Sequence, residues 1–125
     1  MYWSAFTLAF FGYLRVSECA STSQSTETTL RLEDVTLSPG GIELKLRKSK
    51  TDQFQHGYRT GITPTRRSVC AARALQRYLS TRVDKHPGEP LCVFSNGQAL
   101  RRSDVNSCLQ QMLRTHPDRK RISTH

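Results

Sequence analysis

The first fourteen residues constrain the fold most, because they are apolar on nearly every side. Residues 2–14 read YWSAFTLAFFGYL, which predicts a helix without a polar face. A soluble chain has to bury such a helix, so the remaining sequence must pack around it. With 125 residues in all, of which 36% are hydrophobic, we expect a single domain with one modest core.

The same stretch imitates the apolar centre of a signal peptide, so a small secreted protein is one alternative. However, no positive charge precedes the stretch, no small-x-small cleavage site follows it, and it is too short to span a bilayer. The four cysteines form no C-x-x-C pair, which disfavours zinc and favours reduced thiols. We therefore expect an intracellular chain without a membrane segment, metal or cofactor; finding two disulfides would revive the secreted alternative.

From Asp34 the hydrophobic period changes to two. Apolar residues alternate with polar ones on both sides of a Pro-Gly-Gly turn at 39–41. The alternating residues are Val35, Leu37, Ile42, Leu44 and Leu46. A third strand is predicted from Tyr58 to Thr63, ended by Pro64. Residues 34–63 thus predict an antiparallel meander of three strands whose exposed side is basic.

Three helices complete the prediction of an α+β fold. They cover 2–20, 68–82 and 103–115, with Ser68 capping the second and Ser103 and Asp104 starting the third. Side chains expected to face the core are Ala71, Leu75, Tyr78 and Leu79 in the second helix, and Val105, Cys108, Leu109, Met112 and Leu113 in the third. Tyr2 and Tyr13 fall on the apolar first helix, where we also expect core packing.

The charge of the chain indicates a polyanionic partner. The formal net charge is +9, and residues 41–82 hold ten basic side chains but only two acidic ones. Basic side chains bind nucleic acids by contacting phosphates and releasing counterions. The simpler alternative is a solvated basic face that aids solubility.

An arginine stands directly after the apolar helix, in the segment Gly12 to Glu18, GYLRVSE. A charge this close to a core is unfavourable unless it is paired or binds an anion. Arg15 can therefore pair with Glu18 as a helix cap, or it can face an anionic ligand. The motif alone leaves both interpretations open.

Together with two later segments, this motif resembles the catalytic domain of tyrosine recombinases, the phage-integrase family. LRVSE is similar to the family's first arginine box, Ser49-Lys50-Thr51 to its β-hairpin lysine, and Arg121 to His125 to the approach to its H-x-x-R box. The stretches AFFGYLRVSE and SKTDQFQHG resemble integrase-like sequences of eukaryotic mobile elements. No single motif is specific; their order and spacing carry the resemblance.

The resemblance implies a chemistry and roles for residues. In this family a tyrosine attacks a DNA phosphodiester to form a 3′-phosphotyrosyl link, without metal or nucleotide energy. Arg15 would bind the transferring phosphate, with Glu18 as a supporting residue. Lys50 would protonate the leaving 5′-oxygen, with Lys48 as the neighbouring candidate, and His125 would begin the H-x-x-R box.

Further expectations follow from the same resemblance. The second arginine and the nucleophilic tyrosine should lie beyond His125, and the family's separate amino-terminal DNA-clamping domain is missing, so we expect a DNA-binding fragment without activity of its own. The partner would be double-stranded DNA, with self-association on DNA as in the family, and the location nuclear in a eukaryote. Predicted DNA contacts are Arg47, Lys48, Arg66, Arg67, Arg73 and Arg77. A non-catalytic basic module of another class that binds nucleic acid is the main alternative.

Overall fold

The computed structural model describes residues 1–22, 27–47 and 57–118. Within these ranges the helices are α1 (Tyr2–Gly12), α2 (Val16–Cys19), α3 (Ala71–Thr81) and α4 (Arg102–Met112), and the strands are β1 (Val35–Ser38), β2 (Gly41–Leu46) and β3 (Tyr58–Ile62). A single turn of 3-10 helix, Leu32–Asp34, leads into β1. The α+β prediction is confirmed. No helix of the described part is long and apolar enough to cross a membrane.

The three strands form the predicted meander, in the order β1-β2-β3 with both neighbouring pairs antiparallel. Ile42, Leu44 and Leu46 are buried on the inner face, whereas Glu43 and Lys45 are exposed on the outer face, as the period of two requires. The turn between β1 and β2 depends on Gly41, whose φ is 132° and where an added Cβ would lie 2.3 Å from the carbonyl oxygen of Ile62. Only glycine fits there without displacing β3.

The first helix differs from the prediction in length and in which face it buries. The helix ends before Tyr13, where the backbone turns with a left-handed φ of 52°. The predicted helix 2–20 is therefore two helices, α1 and α2. The buried face consists of Leu8 and the smaller residues Ser4, Ala5 and Thr7. Trp3 and Phe10 instead point outward, with 56% and 75% of their surface exposed, and Tyr13 is 92% exposed. The expected core packing of Tyr13 is wrong, whereas Tyr2 packs against Phe6 and Phe94.

The small side chains of α1 allow close packing, because α1 lies directly against α3. The facing side of α3 is also built partly from small residues, Ala71 and Ala74, beside Leu75 and Tyr78. Small residues let two helices approach closely while the larger neighbours fill the gaps. The predicted inner face of this helix is confirmed for Ala71, Leu75 and Tyr78, while the helix begins three residues after Ser68, with Cys70 as its N-cap.

The last helix is held at its beginning and leaves the core towards its end. The backbone N–H of Arg101 donates to Asp104 Oδ2 at 2.9 Å, and Arg102 N–H donates to the carbonyl of Ser21. Val105 is buried, whereas Cys108 and Leu109 are only half-buried and Met112 is 67% exposed. The prediction that Met112 faces the core is therefore wrong, because the described elements stop short of that end of α4.

Candidate functional site

Arg15 is positioned by a tight turn between α1 and α2. Gly12 packs so closely against the sheet that an added Cβ would lie 3.3 Å from Ile62 Cδ1 and 3.4 Å from Leu44 Cδ1. Leu14, two residues later, is buried and donates its N–H to the carbonyl of Ala9. Arg15 follows with an extended backbone, φ −75° and ψ 156°, and an exposed side chain. The core thus fixes the backbone on one side of Arg15, and its side chain extends into solvent.

Glu18 fixes the backbone on the other side. Glu18 is only 5% exposed, and its carboxylate Oε2 accepts a hydrogen bond from the backbone N–H of Arg15 at 2.7 Å. A carboxylate at this position satisfies a donor of the first turn that no carbonyl reaches. Within the described residues, no carboxylate forms an ion pair with the Arg15 guanidinium. The cap interpretation therefore holds for the backbone of Arg15, and its guanidinium is left available to a ligand.

The charges of this pair act on the phenol of Tyr58, which the sequence did not indicate. Tyr58 is the partner of Leu46 across the sheet and so lies on its inner face, at the end where β3 begins. Burial raises the pKa of its phenol, the negative Glu18 raises it further, and the positive Arg15 opposes both. Tyr58 therefore stays a neutral hydrogen-bond donor near Arg15, with 44% of its surface exposed. The period of two places it on the inner face, but only the fold brings α2 to that end.

The other residues with predicted catalytic roles, Lys48, Lys50 and His125, lie outside the described residues. The chain leaves β2 at Leu46 and enters β3 at Tyr58. The segment with both lysines therefore joins the sheet at the end where Arg15 and Glu18 act on the Tyr58 phenol. Gly57, directly before β3, has a φ of 66°, and an added Cβ there would lie 2.4 Å from the carbonyl oxygen of Leu46. Glycine is thus required where the chain returns.

Arg47 is engaged in a network of its own. Its Nε donates to both carboxylate oxygens of Asp34, at 2.9 and 3.1 Å, and its Nη2 contacts Glu33. Asp34 is buried and also accepts the backbone N–H of Arg31. The hydrogen bonds that Arg47 donates to Asp34 and Glu33 raise its pKa. A phosphate would have to compete with two carboxylates for this guanidinium, so its predicted contact with DNA stays a prediction.

The remaining predicted DNA contacts lie near α3 and are exposed: Arg66, Arg67, Arg73 and Arg77. Only Arg73 and Arg77 lie within the helix, one turn apart, because α3 begins after Arg66 and Arg67. None of these guanidinium groups pairs with a carboxylate of the described residues. Arg66 and Arg73 line a groove of about 610 Å³ that also includes the turn between β1 and β2. These arginines form a second positive surface beyond the turn that holds Arg15.

The cysteines and other titratable groups do not form a metal site within the described part of the chain. All four cysteines are free, and Cys19, Cys70 and Cys92 are buried. Burial raises the pKa of Cys92 to about 12 and raises that of Cys19 as well. Both thiols are therefore protonated at neutral pH and act as core residues.

Comparison with known proteins links the chain to an integrase/recombinase. No protein-family model matches the chain. Over 100 residues the chain is 30% identical to an integrase/recombinase xerD homolog from Selenomonas ruminantium, an alignment that covers 79% of this chain and 27% of the relative. The chain therefore spans about a quarter of the length of that relative. The likeness is to an integrase/recombinase, the class to which the motifs pointed.

Proposed function

We propose that the chain is part of a tyrosine recombinase catalytic domain and binds duplex DNA, with Arg15 contacting a backbone phosphate. The observation that carries this proposal is the Arg15 guanidinium, exposed on a turn whose backbone is held by Leu14 and by the Glu18 carboxylate. An arginine side chain offers a planar, permanently charged pair of donors that fits two phosphate oxygens. The likeness to an integrase/recombinase supports the same function.

The residues with predicted roles have distinct parts in this proposal. Glu18 is a positioning residue, because it acts on the Arg15 backbone and not on the ligand. The Lys50 ammonium, with Lys48 as the alternative, would donate a proton to the leaving 5′-oxygen, and His125 would contact the phosphate. DNA recombination or integration through a 3′-phosphotyrosyl intermediate, origin in a eukaryotic mobile element, nuclear location and self-association on DNA belong to the same proposal.

Duplex binding is tested by fluorescence anisotropy with a labelled duplex of about 20 base pairs. We expect affinity to fall steeply as salt rises, because each contacted phosphate releases counterions. Arg15→Ala should weaken binding about tenfold, and Arg15→Lys less, since lysine keeps the charge but loses the paired donors. Arg114→Ala is the matched control: it removes the same charge from another exposed site and should change affinity less than twofold.

Two results would overturn this assignment. Equal losses from Arg15→Ala and Arg114→Ala would mean that net charge alone attracts DNA. An affinity that does not change with salt concentration would show that the chain makes no phosphate contacts.

Cleavage is a separate question. A polypeptide of these 125 residues contains Arg15 but neither the second arginine nor the nucleophilic tyrosine expected from the family, and such residues act as a unit. We therefore propose that it binds DNA without cutting it. Incubation with a nicked duplex followed by denaturing electrophoresis should show no covalent protein–DNA adduct. An adduct lost on mutating one of the four tyrosines would contradict this.

A further inference from the structure

A groove that the proposed function does not use runs between the beginning of α1 and the side of α3. Its volume is about 440 Å³, which is within the roughly 300–1,000 Å³ usual for small-molecule sites. Trp3, Ser4, Arg73 and Arg77 form part of its wall. Arg15 lies beyond the opposite end of α1, about 16 Å along the helix axis at 1.5 Å per residue. The groove is therefore a separate surface.

Ser4 provides the first sign of a ligand. Ser4 is only 1% exposed, yet its Oγ forms no hydrogen bond with any described residue. A buried hydroxyl is usually paired, and the nearby Thr7 hydroxyl illustrates this by donating to the carbonyl of Trp3 at 2.8 Å. Ser4 belongs to the groove wall, so an unpaired hydroxyl lies directly behind the groove surface.

The charge of the groove indicates the charge of its ligand. Arg73 and Arg77 stand one turn apart along α3 and are exposed. Neither guanidinium pairs with a carboxylate in the described part of the chain, and the groove wall contains no acidic residue. Two neighbouring free guanidinium groups favour an anion with several oxygens, such as a phosphate.

Trp3 indicates what accompanies the phosphate. Its ring is 56% exposed although tryptophan ordinarily packs against apolar neighbours. Aromatic rings beside positive side chains bind single-stranded nucleic acids, because bases stack on the ring while the backbone follows the charges. Bases in a duplex are already stacked on each other. An exposed ring therefore fits an unpaired base.

We propose that the groove between α1 and α3 binds a nucleotide unit of a single-stranded nucleic acid, with the base stacked on Trp3 and the phosphate bound by Arg73 and Arg77. This site is separate from Arg15, and it assigns Arg73 and Arg77, which the sequence predicts as duplex contacts, to a single-stranded nucleotide instead.

The single tryptophan of the chain makes a direct test possible. The 125-residue chain is titrated with an oligothymidylate of about eight nucleotides, which cannot pair with itself, while Trp3 fluorescence is recorded. We expect saturable quenching, because a stacked base contacts the indole. The double variant Arg73→Ala/Arg77→Ala should shift the quenching curve to at least tenfold higher concentration.

Anisotropy of a labelled oligothymidylate then measures binding without relying on the tryptophan. Trp3→Ala should weaken it about tenfold. Phe10→Ala, which removes another exposed aromatic ring of α1, is the matched control and should change affinity less than twofold. Circular dichroism checks that each variant folds, and the arginine double variant decides the matter should Trp3→Ala unfold.

The outcome separates this site from the Arg15 proposal. Arg15→Ala should leave oligothymidylate binding unchanged while weakening duplex binding. Binding of the oligothymidylate without any change in Trp3 fluorescence would overturn the groove assignment, and so would equal losses from Phe10→Ala and Trp3→Ala. Failure of duplex binding to respond to Arg15→Ala would overturn only the duplex proposal.

Discussion

Removing the Glu18 carboxylate tests how Arg15 is held. In Glu18→Ala the backbone N–H of Arg15 loses its acceptor, which lies at 2.7 Å and belongs to a residue that is 5% exposed. Asp104→Ala is the matched control, because Asp104 accepts the backbone N–H of Arg101 in the same way at 2.9 Å. The two caps share their geometry and differ in burial and in the arginine that they hold.

The expected magnitudes follow from that difference. A hydrogen bond to a charged acceptor contributes about 1.5–3 kcal/mol, and water does not easily replace the partner of the Arg15 N–H at the partly buried position of Glu18. We expect Glu18→Ala to lower the free energy of unfolding by about 2–3 kcal/mol. At the exposed Arg101 N–H water replaces the Asp104 carboxylate, so that change should cost about 0.5–1 kcal/mol.

Two assays measure the consequences. Urea unfolding followed by circular dichroism gives the free energies, and duplex anisotropy, at a temperature where both variants are folded, gives the affinities. We expect Glu18→Ala to weaken duplex binding at least threefold and Asp104→Ala to leave it unchanged. The phenol pKa of Tyr58, raised by burial and then by Glu18, should fall in Glu18→Ala. Equal losses of stability in both variants would refute the role of burial, and unchanged affinity in Glu18→Ala would refute the positioning of Arg15 by its cap.

Three further predictions concern stability. Arg82→Met should lower the free energy of unfolding by about 3–5 kcal/mol, because the buried guanidinium donates to three backbone carbonyls and to Glu89. Arg59→Met breaks an exposed ion pair at 2.9 Å and should lower it by less than about 1 kcal/mol. Similar losses for the two variants in urea unfolding would contradict this prediction. Gly41→Ala should lower the free energy of unfolding by more than about 2 kcal/mol, because the added Cβ would lie 2.3 Å from the Ile62 carbonyl oxygen. A urea unfolding midpoint equal to that of the wild type would show that the turn adapts. The pKa of Cys92 rises from 9.0 to about 12 on folding. The contribution of this protonated thiol to the free energy of unfolding is therefore complete below pH 9 and is lost as the pH rises to about 12. A Cys92→Ala variant whose stability falls in the same way at alkaline pH would exclude this thiol as the cause.

Local sequence patterns determined the sheet and one helix. The period of two over 35–46 and the Pro-Gly-Gly turn predicted the two antiparallel strands of the β1–β2 hairpin and the buried face of β2, because alternation decides which face of a strand is buried. The α3 pattern was equally clear, since Ala71, Leu75 and Tyr78 recur at helical spacing between charged residues. In both cases the apolar side is distinct from the polar side, so the sequence contains the direction of the core.

The first helix shows where such patterns stop. Its residues are apolar all round, so no periodicity distinguishes the face that α3 covers. Packing buried the small residues Ser4, Ala5 and Thr7 and left Trp3 and Phe10 exposed. The groove beside Trp3 is a consequence of that packing, and no property of the sequence alone indicated it.

The candidate site divides in the same way. The sequence alone nominated Arg15 and Glu18, because a charge directly after an apolar helix requires a partner or a ligand. Only the tertiary structure decided that Glu18 binds the backbone of Arg15, that the charges of both act on the Tyr58 phenol, and that Arg47 pairs with Asp34, thirteen residues away. The Glu18 cap joins residues only three apart, whereas the other two contacts join residues far apart in the chain. The geometry of these longer-range contacts depends on how α2 and the 3-10 turn pack against the sheet, which no local pattern encodes.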